Sequence, residues 1–514
     1  MMQTSCLYEI KISWEGFFVK KNCRKVIAAL LMLTMLIVFA SCGKPESKNT
    51  ASIGTNTKTG VTDNGSKEPV STENETKPAE QTAEDEDPYP AFDFGGRTIK
   101  VGIWWDYYYT SAHTKITDDP GMSNAETAQM KLDNVRKIEK KYNCRIEYVN
   151  LGWNGIIESI NTSIAAGSPE CDIYLTDLQF GIPAVANGLA QRLEDIVPEY
   201  SDLFGKQVVL KPLETKELGG TYLFAEQGIP MSGIYLGYNW TMMEELGLED
   251  PQELYKKGQW TWEKFREYAI AGTRDTNNDG TIDVYGFGGV FPDLVNGLMM
   301  NNNGSIAAGK QEGLSSKETV EVFELINQMY NIDKSARPWN AEDWNDNLLA
   351  WSDGKVMMWT AQAWALKQEA DAALQEGSEL PFEYRIVPYP FGPSSDKKVY
   401  SPVSGNWYMI PVGVKDAGKV FQIFEEFMNW HKGDTSLRDD PSWFESCFQR
   451  LEDVEMAYEC GKNLKLDLWM NLPGFDFGET IWWPIVVNKD KTVSQAVEAA
   501  KPVLQDALDA FWKK

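Results

Sequence analysis

Hydrophobic positions fall into three regimes along the chain. From Val26 to Ala40 they form an almost unbroken apolar run of about 15 residues. From Gly43 to about Pro90 large apolar residues nearly vanish among Ser, Thr, Asn, Glu, Lys and Pro. From Phe92 onward they recur with the periods of folded secondary structure. "FDFGGRTIKVGIWW" places a Gly-Gly turn before alternating apolar residues and predicts a strand entering a core. "NAETAQMKLDNVRKIEKKYN" carries Met130, Leu132, Val135 and Ile138 at helical spacing. "CRIEYVNL" reads as a strand, "GIIESINTSIAAG" as a helix closed by Gly167, and "CDIYLTD" as a strand. Strand, helix, strand, helix, strand is the order that builds a parallel α/β sheet. No internal repeat or second linker interrupts the remainder, so any further lobe must be interwoven with the first.

The first regime reads as an address. Its length falls short of the roughly 20 residues a bilayer span needs, and Lys20, Lys21, Arg24 and Lys25 precede it, as in a secretory signal. "FASC" then sets small residues before Cys42 in the manner of a lipobox, with Phe39 where Leu is usual. Residues 1–41 are therefore expected to be a signal peptide and Cys42 the lipidated first residue of the mature chain; an uncleaved anchor with an incidental cysteine is the alternative. Residues 42–91 cannot offset their ordering entropy and are expected to be a disordered tether. The stretch before the signal is long and mixed. Trp14-Glu15-Gly16 back-translates to a purine-rich ribosome-binding sequence, with Val19 (codon GTG) following at a suitable spacing, so translation is expected to start at Val19. Replacing the Val19 codon in a reporter fusion should abolish expression; unchanged expression would refute that start.

Composition narrows the chemistry. The formal charge is −26; the first 41 residues hold Lys11, Lys20, Lys21, Arg24 and Lys25 against Glu9 and Glu15, a net +3, so the rest carries −29. An unspecific nucleic-acid binder would be basic, so no nucleic-acid partner is expected. Cys144, Cys171, Cys447 and Cys460 are the cysteines of the folded part and form no CxxC, which argues against zinc or thioredoxin chemistry. Export permits disulfides, with 447 and 460 the nearest pair, and four free buried cysteines are the other reading. With only His113 and His431, a Ser-His-Asp, Cys-His or His-ligated metal site is nearly excluded. Tryptophan is unusually abundant, 19 residues, and a flat apolar face is what the C–H face of a sugar ring stacks on.

The segments "GGRTIKVGIWW", "VRKIEKKYNCRIEYVNLGW", "SIAAGSPECDIYLTD", "GIYLGYNWTMMEELGLEDP", "WTWEKFREYA", "GKVMMWTAQAWA" and "SGNWYMIPVGVKD" occur in an order that resembles extracellular solute-binding proteins of the maltose-binding type, family 1. These are the lipoprotein receptors of carbohydrate ABC importers in Gram-positive bacteria. The similarity covers about residues 95–514. It implies an α/β, two-lobe periplasmic-binding-protein-like fold of type II, with hinge crossovers and an interlobe cleft. Lobe 1 would take residues 92–233 plus 403–438, and lobe 2 residues 234–402 plus 439–514. It further implies a monomeric, non-enzymatic receptor, lipid-anchored on the extracellular face of the cell membrane, that passes a carbohydrate ligand to ABC permease subunits.

Candidate ligand residues follow from strand ends and from the resemblance. Trp104, Trp105 and Asp106 lie after the first strand, Trp153 after the second, and Asp177 ends the third, where ligands meet open α/β sheets. Trp359, Gln362 and Trp364 occupy "MMWTAQAW", similar to the family segment whose aromatic stacks on sugar, and Asn406 and Trp407 lie at the return crossover. Each tryptophan has a core-packing alternative, and Asp106 and Asp177 could instead cap helices. Trp482 and Trp483 before Pro484 could also reach the cleft. Trp260 and Trp262 are expected to be structural, around a helix capped by Thr261, and Tyr238 and Asn239 to support a hinge. "DTNNDGTIDVYG" places Asp275, Asn277, Asp279, the Thr281 carbonyl and Asp283 at positions 1, 3, 5, 7 and 9 of a calcium loop, with Gly286 where an EF-hand has its bidentate Glu. A structural Ca²⁺ completed by a remote carboxylate is expected; an Asx-rich turn without metal is the alternative. No phosphate-loop motif is present. The functional alternatives are a secreted glycoside hydrolase, which needs only paired carboxylates, and a ligand receptor for a sensor kinase.

Overall fold

The computed structural model describes residues 88–512, apart from 107–109, 119–123, 207–208, 214–217, 227, 229–232, 341–342, 376–379, 404, 467–468 and 471. The expected signal peptide, the expected lipidation site Cys42 and nearly all of the expected tether lie outside the described residues.

The strand Arg97–Ile103 runs parallel to Cys144–Asn150 on one side and to Ile173–Asp177 on the other, with Ile103 opposite Asn150 and Val101 opposite Ile173. The connecting helix Ala125–Tyr142 starts at Asn124, whose side chain accepts from the Glu126 and Thr127 amides, and stops at Asn143 in the left-handed region. It buries Ala128, Leu132, Val135, Ile138 and Tyr142; Met130 is only half-buried. The second connection, Gly152–Ser159, runs on through a π-helical turn to Ile164 and ends at Gly167, φ 74°. Three further strands complete a six-stranded sheet. Asn406–Met409 lies antiparallel beside Ile173–Asp177, followed by Leu223–Glu226 and Leu210–Pro212.

A second sheet has four strands in the order Tyr384–Val387, Tyr235–Asn239, Val356–Ala361 and Tyr285–Gly288. The chain leaves the first sheet after Glu226, builds the second, and comes back at Asn406. The outgoing and returning segments pair with each other: Gly233 bridges Val403, and the Ile234 amide donates to the Pro402 carbonyl at 3.2 Å. The return continues into the helix Ala417–Met428, buried on nearly every side and packed on Ala125–Tyr142. There Gln422 donates to the Tyr142 hydroxyl at 2.9 Å, and Lys141 pairs with Glu426 at 2.8 Å. The chain then rejoins the second sheet, where Leu451–Gly461 packs on Tyr384–Val387 and the terminal helix Val493–Trp512 on Lys317–Asn327. This is the two-lobe α/β architecture.

Trp260 and Trp262 are buried, as structural residues should be, and the Trp260 indole donates to the Pro388 carbonyl at 2.9 Å. Thr261 stands at the helix N-terminus without capping it through its side chain. Its backbone bridges Phe391 instead, and the Trp262 amide is taken by the Phe391 carbonyl. Asn239 caps the helix Trp240–Glu245 through the Met242 amide, and Tyr238 donates to Asp250 at 2.6 Å, so both support lobe 2 internally. All four cysteines are free and buried, and burial pushes the Cys144, Cys171 and Cys460 thiols up to about 12, which leaves them unreactive at neutral pH.

Gly286 is held by contact: a Cβ there would sit 1.7 Å from the Ala269 carbonyl oxygen of the covering helix. A glutamate at this position of the loop is therefore sterically barred. Gly286→Ala should destabilise the protein by about 3 kcal/mol or more. Gly280→Ala, where φ is +89° in open space, should cost only about 1 to 2 kcal/mol; denaturant midpoints at equal m-value check the order.

Candidate functional site

The carboxyl end of Ile173–Asp177 and the start of the helix Leu178–Ala186 form one wall of a cavity of about 790 Å³. Asp177 caps that helix, accepting the Gln179 amide at 2.8 Å. The opposite wall is the N-terminal turn of Phe291–Met300, which follows the strand Tyr285–Gly288. Its position is set at Gly289, φ +124°, where a Cβ would meet the Thr360 hydroxyl at 2.4 Å; that hydroxyl accepts the Val290 amide at 2.8 Å. Asp293 in this first turn faces the cavity. Gln362, just past Val356–Ala361, places its amide nitrogen 3.4 Å from Asp293, while the Trp364 indole donates to the Gln362 oxygen at 2.6 Å. Trp364 thereby fixes which end of the amide faces the cavity. The two crossover segments, through Ile234, Pro402, Val403 and Gly405, supply the floor.

The remaining wall is aromatic. Phe291 and Trp482 lie with ring centroids 3.9 Å apart, and Trp339 is 6.0 Å from Trp482. Trp483, 46 % exposed, lies at the rim, and Phe475 and Phe477 flank Asp476, which accepts the Glu479 amide at 2.8 Å. Asn296 also lines the cavity, and its side-chain oxygen is buried without a hydrogen-bond partner in the protein.

Burial raises both facing carboxylates, Asp177 and Asp293. The Gln179 amide partly offsets it at Asp177. At Asp293 the carboxyl is pushed up to about 7, by burial first, against the Gln362 hydrogen bond and with the help of repulsion from Asp177.

Of the residues expected from sequence, Asp177 and Gln362 line the cavity, and Trp364 touches Gln362. Asn406 is exposed and stands opposite Asp177 in the sheet register. Trp104, Trp105 and Trp153 form an edge-to-face group with Phe180, with centroids 4.9 to 5.7 Å from Trp104, and Trp153 is 40 % exposed. The group sits beside the cavity without lining it; Asp106 accepts from Asn150 at 3.1 Å. Two expectations need correction. Trp359, 1 % exposed, stacks on Trp351 at 5.4 Å within the lobe 2 core, because a helix covers that face of its strand. Trp407 is buried with Met409 in the core on the sheet face packed by the helix Leu178–Ala186, and only Asn406, at the start of the strand, is exposed. Phe291, Asp293, Asn296 and Trp339 were not foreseen, although "FPDLVNG" after a strand carries a helix-start signal in its Pro292.

In the "DTNNDGTID" loop, Asp275 accepts the Gly280 amide at 2.7 Å, Asn277 the Asp279 amide, and Asp279 the Thr281 amide, each at 2.8 Å. Asp283 accepts both the amide and the hydroxyl of Thr276. Among the described residues no group of three or more His, Cys, Asp or Glu side chains converges on a metal-sized site.

The chain belongs to the bacterial extracellular solute-binding protein family, whose sequence pattern matches residues 122–434. Among solved structures, an ABC substrate-binding protein of Listeria monocytogenes in complex with cycloalternan is similar at 16 % identity and TM-score 0.55, over 80 % of this chain and 99 % of that one. The maltose/maltodextrin-binding domain of Bdellovibrio bacteriovorus bound to maltotriose is similar at 13 % and 0.52, over 81 % and 100 %. The GacH receptor of Streptomyces glaucescens, solved unliganded and with acarbose, is similar at 16 % and 0.53, over 80 % and 99 %. No curated protein matches.

The raised Asp293 carboxyl has a measurable consequence. Unfolded, it ionises near the ordinary value of about 3.9; folded, it holds its proton to about 7. The folded state thus binds more protons in between, and stability falls as pH rises from about 4 to about 7. Glu425, at about 7, and Asp453, at about 6, act with the same sign. Asp293→Asn should therefore flatten this fall without abolishing it, as read from denaturation midpoints across that range.

Proposed function

We propose that the protein captures a sugar or oligosaccharide in the interlobe cavity, closes about the paired crossovers, and delivers it to the permease of an ABC importer from a lipid anchor at Cys42. The observation that carries this reading is the pairing of an aromatic wall, Phe291, Trp339, Trp482 and Trp483, with acid and amide groups from both lobes, Asp177, Asp293, Asn296 and Gln362. Flat faces suit pyranose rings, and carboxylates and amides suit adjacent hydroxyls. The family and the sugars named with similar structures support it. The Asp177–Asp293 pair, with one carboxyl raised to about 7, also favours a second reading, glycoside hydrolysis with Asp293 as the acid.

We further propose that the acidic loop holds a structural Ca²⁺ through Asp275, Asn277, Asp279, the Thr281 carbonyl and Asp283. An oxygen-only donor set within nine residues suits a hard cation, and the ion would pin the loop without taking part in binding.

Thermal melting of residues 88–514 against an oligosaccharide panel separates these readings. A bound sugar at about 100 times its Kd should add about 2.7 kcal/mol, a shift of a few degrees. A shift with no product after long incubation supports capture, and reducing-end release refutes it. Terbium luminescence that is quenched when Ca²⁺ displaces the bound ion, and lost in Asp279→Ala, checks the loop; no binding overturns the metal assignment.

A further inference from the structure

We infer that the cleft is built for a sugar carrying a protonated amine, an inference that rests on the sugar-capture reading. Three carboxylates, Asp177, Asp293 and Asp476, line the cavity, and none of the described lining residues is Lys, Arg or His. Asp177 and Asp476 each spend an oxygen on a helix N-terminus, and the helix ends offset part of their charge. Asp293 accepts only a long contact from the Gln362 amide nitrogen, at 3.4 Å, and it faces Asp177 from the other lobe.

Two facing carboxylates in a cleft that closes on its ligand can both stay charged only if the ligand supplies the opposite charge; otherwise one of them keeps a proton. A neutral hydroxyl cannot supply that charge, and a phosphate, sulfate or uronate would add to the repulsion. An ammonium has three N–H donors and no acceptor. The cavity offers it the two carboxylates, and Asn296 on the same lining carries a side-chain oxygen that is buried with no partner in the protein. The wall of Trp482, Trp339 and Phe291 serves a pyranose face and also favours a cation over its rings. The raised Asp293 carboxyl fits this picture: Asp177 opposes its ionisation, Gln362 favours it, and the buried, neutral Tyr389 packed against the same helix contributes no charge. An incoming cation would bring Asp293 back to its charged form.

Calorimetry of residues 88–514 at about pH 7 with a glucosamine trimer, its fully N-acetylated counterpart and maltotriose tests the inference. The amine trimer should bind at least about tenfold tighter than the acetylated one. Its binding should weaken as salt rises, and the preference should be lost in Asp293→Asn. If that variant fails to fold, Asp177→Asn serves in its place. Equal affinity for amine and acetylated trimers overturns the inference and leaves sugar capture standing. Binding of none of the three overturns both, and a preference untouched by both substitutions overturns the assignment to these carboxylates.

Discussion

The strand Asn406–Met409 is the interaction on which the rest of the molecule depends. It enters the first sheet antiparallel, between Ile173–Asp177 and Leu223–Glu226, and the buried Thr176 hydroxyl donates to the Trp407 carbonyl at 2.8 Å. The two halves of that contact are separated in sequence by the entire second sheet. Lobe 1 cannot close its sheet until the chain has gone out and returned. The two crossings must then run side by side, as the Gly233–Val403 bridge shows. The same constraint makes the paired crossovers the floor of the cavity, which is therefore bounded by both lobes and by the segments that join them.

The cleft also gathers helix N-termini. Leu178–Ala186, Phe291–Met300 and the π-helical segment Gly478–Val487 all begin at its walls, each with an aspartate in or before the first turn. Carboxylates are stable in such positions, which explains how three of them persist in one cavity. Stability at each helix end does not remove their mutual repulsion. Burial and that repulsion together leave Asp293 the group least content to ionise.

Much of the first sheet was legible from periodicity, because its strands and helices are local patterns: alternation at Arg97–Ile103, a helical stripe through Leu132, Val135 and Ile138, and Asp177 at a strand end. The site was legible only in part. Asp177 follows from its place at a strand end, Gln362 from the resemblance of "MMWTAQAW" to the family segment, and Trp482 and Trp483 stood out by type. Trp359 and Trp407 had the right residue type in the right segments, yet helices covering their sheet faces buried them. No local pattern distinguishes an aromatic that faces a cleft from one that faces a core.

The amino-acid sequence alone determined the order of the first strands and helices of lobe 1, the family and the chemistry available: many flat aromatic faces, many carboxylates and almost no histidine. These depend on residue type and short-range spacing, which the chain carries in linear form. Tertiary structure decided which residues meet. Asp293 and Asp177 are far apart in sequence and become a pair only because two sheets present their strand ends to one cavity. Gly286 lost its freedom to be anything else only when a helix backbone came to rest against it. Pairing across lobes and contact across layers depend on long-range packing, and that is where the site acquires its charge.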